Sequence, residues 1–207
     1  MNEKFLELPE EKQQSILNAG FEVFSKSEYK HASTDLIAAK AGISKGLLFY
    51  YFHNKKSLYM YLLEYAKNLM TESVTDSHFA EIRDVFDMLE YAAIRKYQIL
   101  QKSPYILDYM MRVVSLTNEA VSEDVNRIWL ETTNDVFANY FSNLDYSKFK
   151  EDVDPQEIIQ MLLWTMEGFM YERQRSGSNP GLDELMDKFR IWSDIYKKIA
   201  YKEEYLK

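Results

Sequence analysis

Residues Ser33 to Leu58 read STDLIAAKAGISKGLLFYYFHNKKSL, and this stretch decides what the chain is built to do. Ser33 and Thr34 precede an apolar-periodic run of Leu36, Ile37, Ala38 and Ala41, so their hydroxyls can cap a short helix from about Thr34 to Lys40. Gly42 tolerates the left-handed backbone that closes a helix and turns sharply. Ile43 can fill the space behind that turn, and Ser44 can cap a second helix from Lys45 to about Tyr51. That helix opens on a cation and a glycine and closes on Phe49, Tyr50 and Tyr51. A charge and a bare backbone at a helix N-terminus suit close approach to a base edge and a phosphate. The pattern is that of a helix-turn-helix, whose second helix presents its N-terminal residues to the major groove. Asn54 is the expected cap of a fourth helix, with Lys55 and Lys56 in its first turn, where cations oppose the helix dipole unless a phosphate lies nearby.

Charge points the same way. Between Lys30 and Met60 five lysines stand against one acid, Asp35, a net of +4 in a chain of −8, so everything else carries −12. A basic island in an acidic protein is the electrostatic footprint of a small DNA-binding head.

The hydroxyl pair Ser33-Thr34, Ile37-Ala38, Ala41-Gly42-Ile43-Ser44, Gly46, the aromatics Phe49 to Phe52 and Lys55 together resemble the DNA-binding head of the TetR family of bacterial transcriptional regulators, from near Ile16 to near Leu62. Phe49 stands where that family usually has a tyrosine, and Tyr50 where a histidine is common. Tyr50 keeps a hydroxyl for phosphate and Phe49 has none. The resemblance implies an all-α protein of about nine helices, with a three-helix head over residues 1–54 and a helical ligand-binding and dimerisation domain over 55–207, linked through the long fourth helix. It also implies a homodimer on double-stranded operator DNA, released by a small-molecule inducer. Lys45, Gly46 and Leu47 are then expected at bases, and Ser33, Thr34, Ser44, Tyr50, Tyr51 and Lys55 at phosphates.

Composition bounds the rest. With 207 residues and 46% hydrophobic content the chain can bury one or two helical cores. It has no cysteine, which excludes disulfides and thiolate metal sites and accords with a cytoplasmic setting. The N-terminal MNEKFLELPEEKQQ lacks the apolar run of a signal peptide, and no stretch is apolar for long enough to span a membrane. His31, His53 and His78 are scattered, so no metal or other cofactor is expected. Neither a nucleophile elbow nor a phosphate loop is present, and an enzyme is not expected.

Along the chain, Pro9 with Glu10 and Glu11 opens a first helix to about Ser27. The fourth runs from Asn54 to about Val74. Periodicity then predicts helices over Phe79–Lys102, Tyr105–Leu116 and Glu119–Asn143, and a flexible insert over Leu144–Val153. Asp154-Pro155-Gln156-Glu157 is a strong start signal for a helix to about Arg175. That helix is apolar nearly all round, so it lies either at the centre of its domain or between core and partner. After the loop SGSNPG a last helix carries Leu182, Leu185, Met186, Phe189, Trp192, Ile195, Tyr196 and Ile199, then frays into KEEYLK.

Large adaptable side chains in the second domain read first as core. With the resemblance, Tyr65, Phe86, Leu89, Tyr109, Met110, Trp129, Thr132, Phe137, Trp164 and Glu167 become candidates for an inducer pocket suited to an apolar or amphipathic molecule. Arg112 is a second polar exception among apolar neighbours. The last two helices, with Met166, Gly168, Met170, Phe189, Trp192 and Tyr196, are the candidate dimer bundle. The rival function is a helical carrier or sensor of lipid-like molecules that keeps the head without regulating through DNA.

Overall fold

The computed structural model describes residues 3–206 apart from 73, 75, 103, 115–120, 129, 131–139 and 179. The pocket candidates Trp129, Thr132 and Phe137, and much of the helix expected over 119–143, lie outside the described residues. The described chain is helical, and its one β-bridge is an isolated pair, Phe149 with Tyr201. It divides into two compact units, Met1–Glu72 with Ile99–Thr133, and Ser73–Gln98 with Asn134–Lys207.

The first unit holds α1 (Glu10–Lys26), α2 (Thr34–Lys40), α3 (Lys45–Phe52) and α4 (Lys55–Glu72), with α7 (Pro104–Val114) and the helical residues 122–128, called α8. α1 begins one residue after Pro9, with Glu10 and Glu11 facing its positive end. It buries Ile16, Leu17, Phe21, Val23 and Phe24. The core is aromatic. Phe24 meets Tyr59 edge-on at 4.9 Å, and Tyr109 of α7 meets Phe21 and Tyr59 at 5.2 Å each. The fully buried Tyr109 hydroxyl donates to the Tyr59 carbonyl at 2.9 Å, so its polar end is satisfied. α1 and α4 cross closely at Gly20, where an added Cβ would stand 2.8 Å from Leu62 Cδ1. Phe5, in a short 3-10 turn, is fully buried against Phe52 at 4.8 Å and Tyr61 at 5.6 Å, so the N-terminal segment plugs the head.

The second unit holds α5 (Ser77–Glu81), most of α6 (Val85–Lys102), α9 (Pro155–Arg175) and α10 (Leu182–Ala200). The single helix expected from Phe79 is broken between Glu81 and Val85, and Asp84 is the cause. Its Oδ1 accepts the Phe86 N–H at 3.0 Å and the Asp87 N–H at 3.3 Å, starting α6 afresh. Its Oδ2 accepts from Lys148 Nζ at 2.6 Å and the Tyr201 hydroxyl at 3.1 Å. The flexible insert expected over Leu144–Val153 is packed: Leu144 and Phe149 are buried, and Phe149 meets Tyr201 at 4.9 Å. The tail does not fray at its start either. Tyr201 is buried, Lys150 N–H donates to Ala200, and Lys202 N–H donates to Lys148, both at 2.9 Å.

α9 and α10 run antiparallel. Thr165 Oγ1 lies 3.0 Å from the Tyr196 hydroxyl, Phe169 meets Trp192 at 5.6 Å, and Arg173 pairs with Glu184. α9 is not enclosed by its own chain: Met161, Trp164 and Tyr171 are 42%, 60% and 50% exposed.

Candidate nucleic-acid interface

The geometry of α2 and α3 follows from four local devices. Ser33 Oγ accepts the Leu36 N–H at 3.3 Å, and Ser44 Oγ accepts the Leu47 N–H at 3.1 Å. Each such cap contributes roughly 1 kcal/mol. Gly42 adopts φ 62°, which lets the Ile43 N–H return to the Ala38 carbonyl at 3.0 Å. Asn54 Oδ1 accepts the Ser57 N–H at 2.8 Å and caps α4. A fifth device comes from α1, where Lys12 Nζ donates to the carbonyls of Ala41 and Gly42 at 3.0 and 3.3 Å. This puts a cation on the negative end of α2. No pattern around Lys12 in the sequence signals it.

α3 is divided lengthwise. Leu48, Tyr51 and Phe52 face the core, while Gly46, Leu47 and Tyr50 face out. Leu36 of α2, in the same apolar-periodic run as the buried Ile37, is 48% exposed, and Tyr50 is 51% exposed. A Cβ added to Gly46 would find only Ser44 Oγ, at 3.9 Å, so the backbone there is open to close approach. Thr34 and Tyr51 are buried, with the Tyr51 ring 5.9 Å from Phe5. Lys55 Nζ donates to the Lys30 carbonyl at 3.1 Å and lies 4.8 Å from the Tyr29 ring centre.

The basic island is smaller than a count along the sequence suggests. Lys45 pairs with Asp35 at 2.8 Å, Lys40 with Glu22 at 3.0 Å, and Lys56 with Asp124 at 2.5 Å. Glu22 and Asp124 lie outside the counted window. Hydrogen bonds from Lys26 and then Lys40 pull the Glu22 carboxyl down to about 2. The Lys45–Asp35 pair is exposed on both sides, and such pairs are worth at most about 1 kcal/mol, so Asp35 orients Lys45 without tying it down.

The pocket candidates fall in both units. In the first, Tyr109 is buried, Tyr65 accepts from Gln14 Nε2 at 2.7 Å, and Met110 packs half-buried on the core. In the second, Phe86 and Leu89 are buried, while Trp164 and Glu167 stand on the exposed side of α9. Partial desolvation there raises the Glu167 carboxyl. A cavity of about 280 Å³ in the second unit is lined by Asp76, Phe79, Ala80, Ile82, Met88, Tyr140, Asn143 and Leu144, none of them a sequence candidate. Arg112 Nε donates to the Ser25 carbonyl at 3.2 Å, at the C-terminal end of α1. Of the dimer candidates, Phe189 is buried, Met166, Met170, Trp192 and Tyr196 are half-buried, and Gly168 is open, with nothing within 4 Å of an added Cβ. Outside them lie Met161, Trp164 and Tyr171, and on α10 Ile191, Ile195 and Ile199, each about half exposed.

Among the described residues no group of acids and histidines could hold a metal ion, and no helix is long and apolar enough to cross a membrane.

The model for bacterial regulatory proteins of the tetR family matches residues 16–62, which contain α2, α3 and their supports. Over 181 residues the chain is 23% identical to the HTH-type transcriptional repressor AcnR of Corynebacterium glutamicum, covering 86% of this chain and 90% of that one. Over 127 residues it is 28% identical to the HTH-type transcriptional activator FasR of Mycolicibacterium smegmatis, covering 56% and 58%. The fold matches the fatty acid degradation regulator FadR from Bacillus halodurans with a TM-score of 0.70 at 16% identity, covering 89% of this chain and 97% of that one. Residues 16–62, with their capped helix-turn-helix, thus match the DNA-binding head of the tetR family of bacterial regulatory proteins, and the described remainder of the chain is largely helical and shares its fold with regulators such as FadR.

Proposed function

We propose that this protein is a cytoplasmic, homodimeric repressor that holds double-stranded operator DNA through α2 and α3 and leaves it when a small apolar or amphipathic molecule binds the helical domain over 55–207. The observation that carries the reading is the exposure of Leu36 on α2 and of Gly46, Leu47 and Tyr50 on α3, together with the exposed cap residues Ser33 and Ser44 and the exposed Lys45. Leucine side chains suit thymine methyls, Lys45 suits guanine, and the bare Gly46 lets the helix seat closely. Tyr50, Lys55 and the serines hold phosphates, which fix register without reading sequence.

One short recognition helix reads few base pairs, so specific binding needs two heads related by a twofold axis. The exposed stripes of α9 and α10 supply a self-complementary face for that pairing. FadR's association with fatty acid degradation accords with an amphipathic ligand. Release runs through α7 and α4. α6 carries the cavity residue Met88 and ends at Lys102; α7 starts at Pro104, and its Tyr109 holds the Tyr59 carbonyl of α4. A shift of α6 thereby reaches the helix that carries the head, changing the separation of the two recognition helices.

A mobility-shift titration against the DNA upstream of its own reading frame tests the proposal. Sequence-specific retardation by the dimer is expected. Weak, salt-sensitive binding to any DNA would leave a carrier of lipid-like molecules as the better reading.

A further inference from the structure

On α6 the buried side runs through Val85, Met88, Leu89 and Ala92, and a further step of four residues arrives at Lys96. A helix side that packs inward should continue apolar there, and it presents an ammonium. Lys96 Nζ lies 5.7 Å from the centre of the Tyr140 ring, and among the described residues no carboxylate pairs with it. Burial pushes the amine below the ordinary lysine range. A cation facing an aromatic ring gains some attraction, yet among the described residues no opposite charge compensates it.

Tyr140 has a second role. It lines the cavity of about 280 Å³ together with Phe79, Ile82, Met88 and Leu144, and its ring meets Phe79 edge-on at 4.9 Å. The charged lining residue, Asp76, is already engaged: it accepts from the Tyr91 hydroxyl and the Phe79 N–H and lies 3.6 Å from Arg95. An apolar cleft near the lower end of ligand-site volumes therefore shares one aromatic wall with a cation that no described carboxylate pairs.

We infer that the cavity and Lys96 form one site for an anionic amphiphile, its apolar part lying between Phe79, Ile82, Met88 and Leu144 and its carboxylate or phosphate head on the Lys96 ammonium. The inference rests on the ligand-responsive reading above and narrows the ligand to a chemical class. Lysine fits the task because its charge is compact and its stem can follow heads at different depths.

Calorimetric titration of the full-length protein with decanoate, decyl phosphate, decanol and decyltrimethylammonium tests the site. Wild type should bind at least one of the two anions about tenfold or more tighter than decanol, as a charge-assisted contact requires, and should bind the cation weakest. The tighter anion identifies the head group. Lys96→Met should bring anion affinity down to that of decanol, leave decanol unchanged, and raise the unfolding temperature of the ligand-free protein by removing a partly desolvated charge. Lys96→Arg should keep the anion preference. Equal anion binding by wild type and Lys96→Met, a wild-type preference for decanol or the cation, or no binding of either anion would each overturn the assignment. Operator release by decanol or the cation, indifferent to Lys96→Met, would overturn it while leaving the ligand-responsive regulator standing. Anion binding that depends on Lys96 but never releases the operator would support the site and sink the proposed release.

Discussion

Two regions of this protein expose apolar side chains, and they do so in opposite ways. In the head, Leu36, Leu47 and Tyr50 are exposed on two short helices that also expose the cap residues Ser33 and Ser44, Gly46 and Lys45. On α9, Met161, Trp164, Gly168 and Tyr171 follow one another at steps of three, four and three, and on α10 Ile191, Ile195 and Ile199 follow at steps of four. The first pattern fits a groove with polar walls. The second is the spacing of a seam between helices, and it extends along both elements. Exposure alone does not distinguish a reading surface from an assembly surface; the neighbours and the length of the pattern do.

The seam should be the easier of the two to break. Ile195→Glu places a charge in its middle without touching the chain's own core, so the helical circular dichroism should be retained. For the proposed dimer, sedimentation should move to monomer, with at least about a hundredfold loss of operator affinity, because the second head would no longer act at high effective concentration. A dimeric Ile195→Glu variant would erase the contrast.

Asp84→Ala probes the inner side of the same unit. It removes the cap of α6 and the partner of Lys148 and Tyr201, and should cost about 2–4 kcal/mol in urea unfolding near neutral pH. Burial alone would raise the Asp84 carboxyl, but Lys148 and the Asp87 N–H outweigh it and hold it below its ordinary 3.8. A carboxyl depressed in the folded state stabilises above its unfolded pKa and ceases to as pH falls through the folded one. The gap between wild type and variant should therefore be constant above about pH 5 and narrow progressively below pH 3.8. A gap that does not depend on pH would show that packing, not charge, pins α6.

Smaller effects sharpen the head's side of the comparison. Gly46→Ala has room for its methyl group, so stability should hold or rise slightly, while operator affinity falls about tenfold if backbone meets DNA there. Unchanged affinity would move the reading surface away from the start of α3. Lys55→Ala should weaken binding to all sequences alike and flatten the salt slope by about one, as a single phosphate contact does. An unaltered slope would confine Lys55 to its bond with the Lys30 carbonyl.

The head was legible because its devices are local. Ser33, Gly42, Ser44 and Asn54 each act within four residues of where they stand, and a reader of the sequence sees both donor and acceptor. The break before α6 was not, because Ile82, Val85, Phe86 and Leu89 continue a helical period straight across it. What ends that period is Asp84 binding Lys148 and Tyr201, which are far away in the chain. Phe149 looked like a loop residue for the same reason, since its partner Tyr201 lies beyond the last helix. Periodicity also identifies apolar residues without saying which side its own chain covers. Leu36 was grouped with Ile37, and Ile195 with Phe189, yet one member of each pair is exposed and the other buried. Lys40 and Lys56 counted as free basic charge until Glu22 and Asp124 were brought beside them by the fold.

The stitching of Lys148 and Lys150 to Ala200 and Lys202 has a practical consequence. Tyr201 is a closing button for the second unit, so cutting the polypeptide at residue 200 would expose the Asp84 carboxylate and the Phe149 ring together. An affinity handle joined directly to Tyr201 would prise at the same fastening. One carried beyond Leu206 on a flexible spacer would leave it shut.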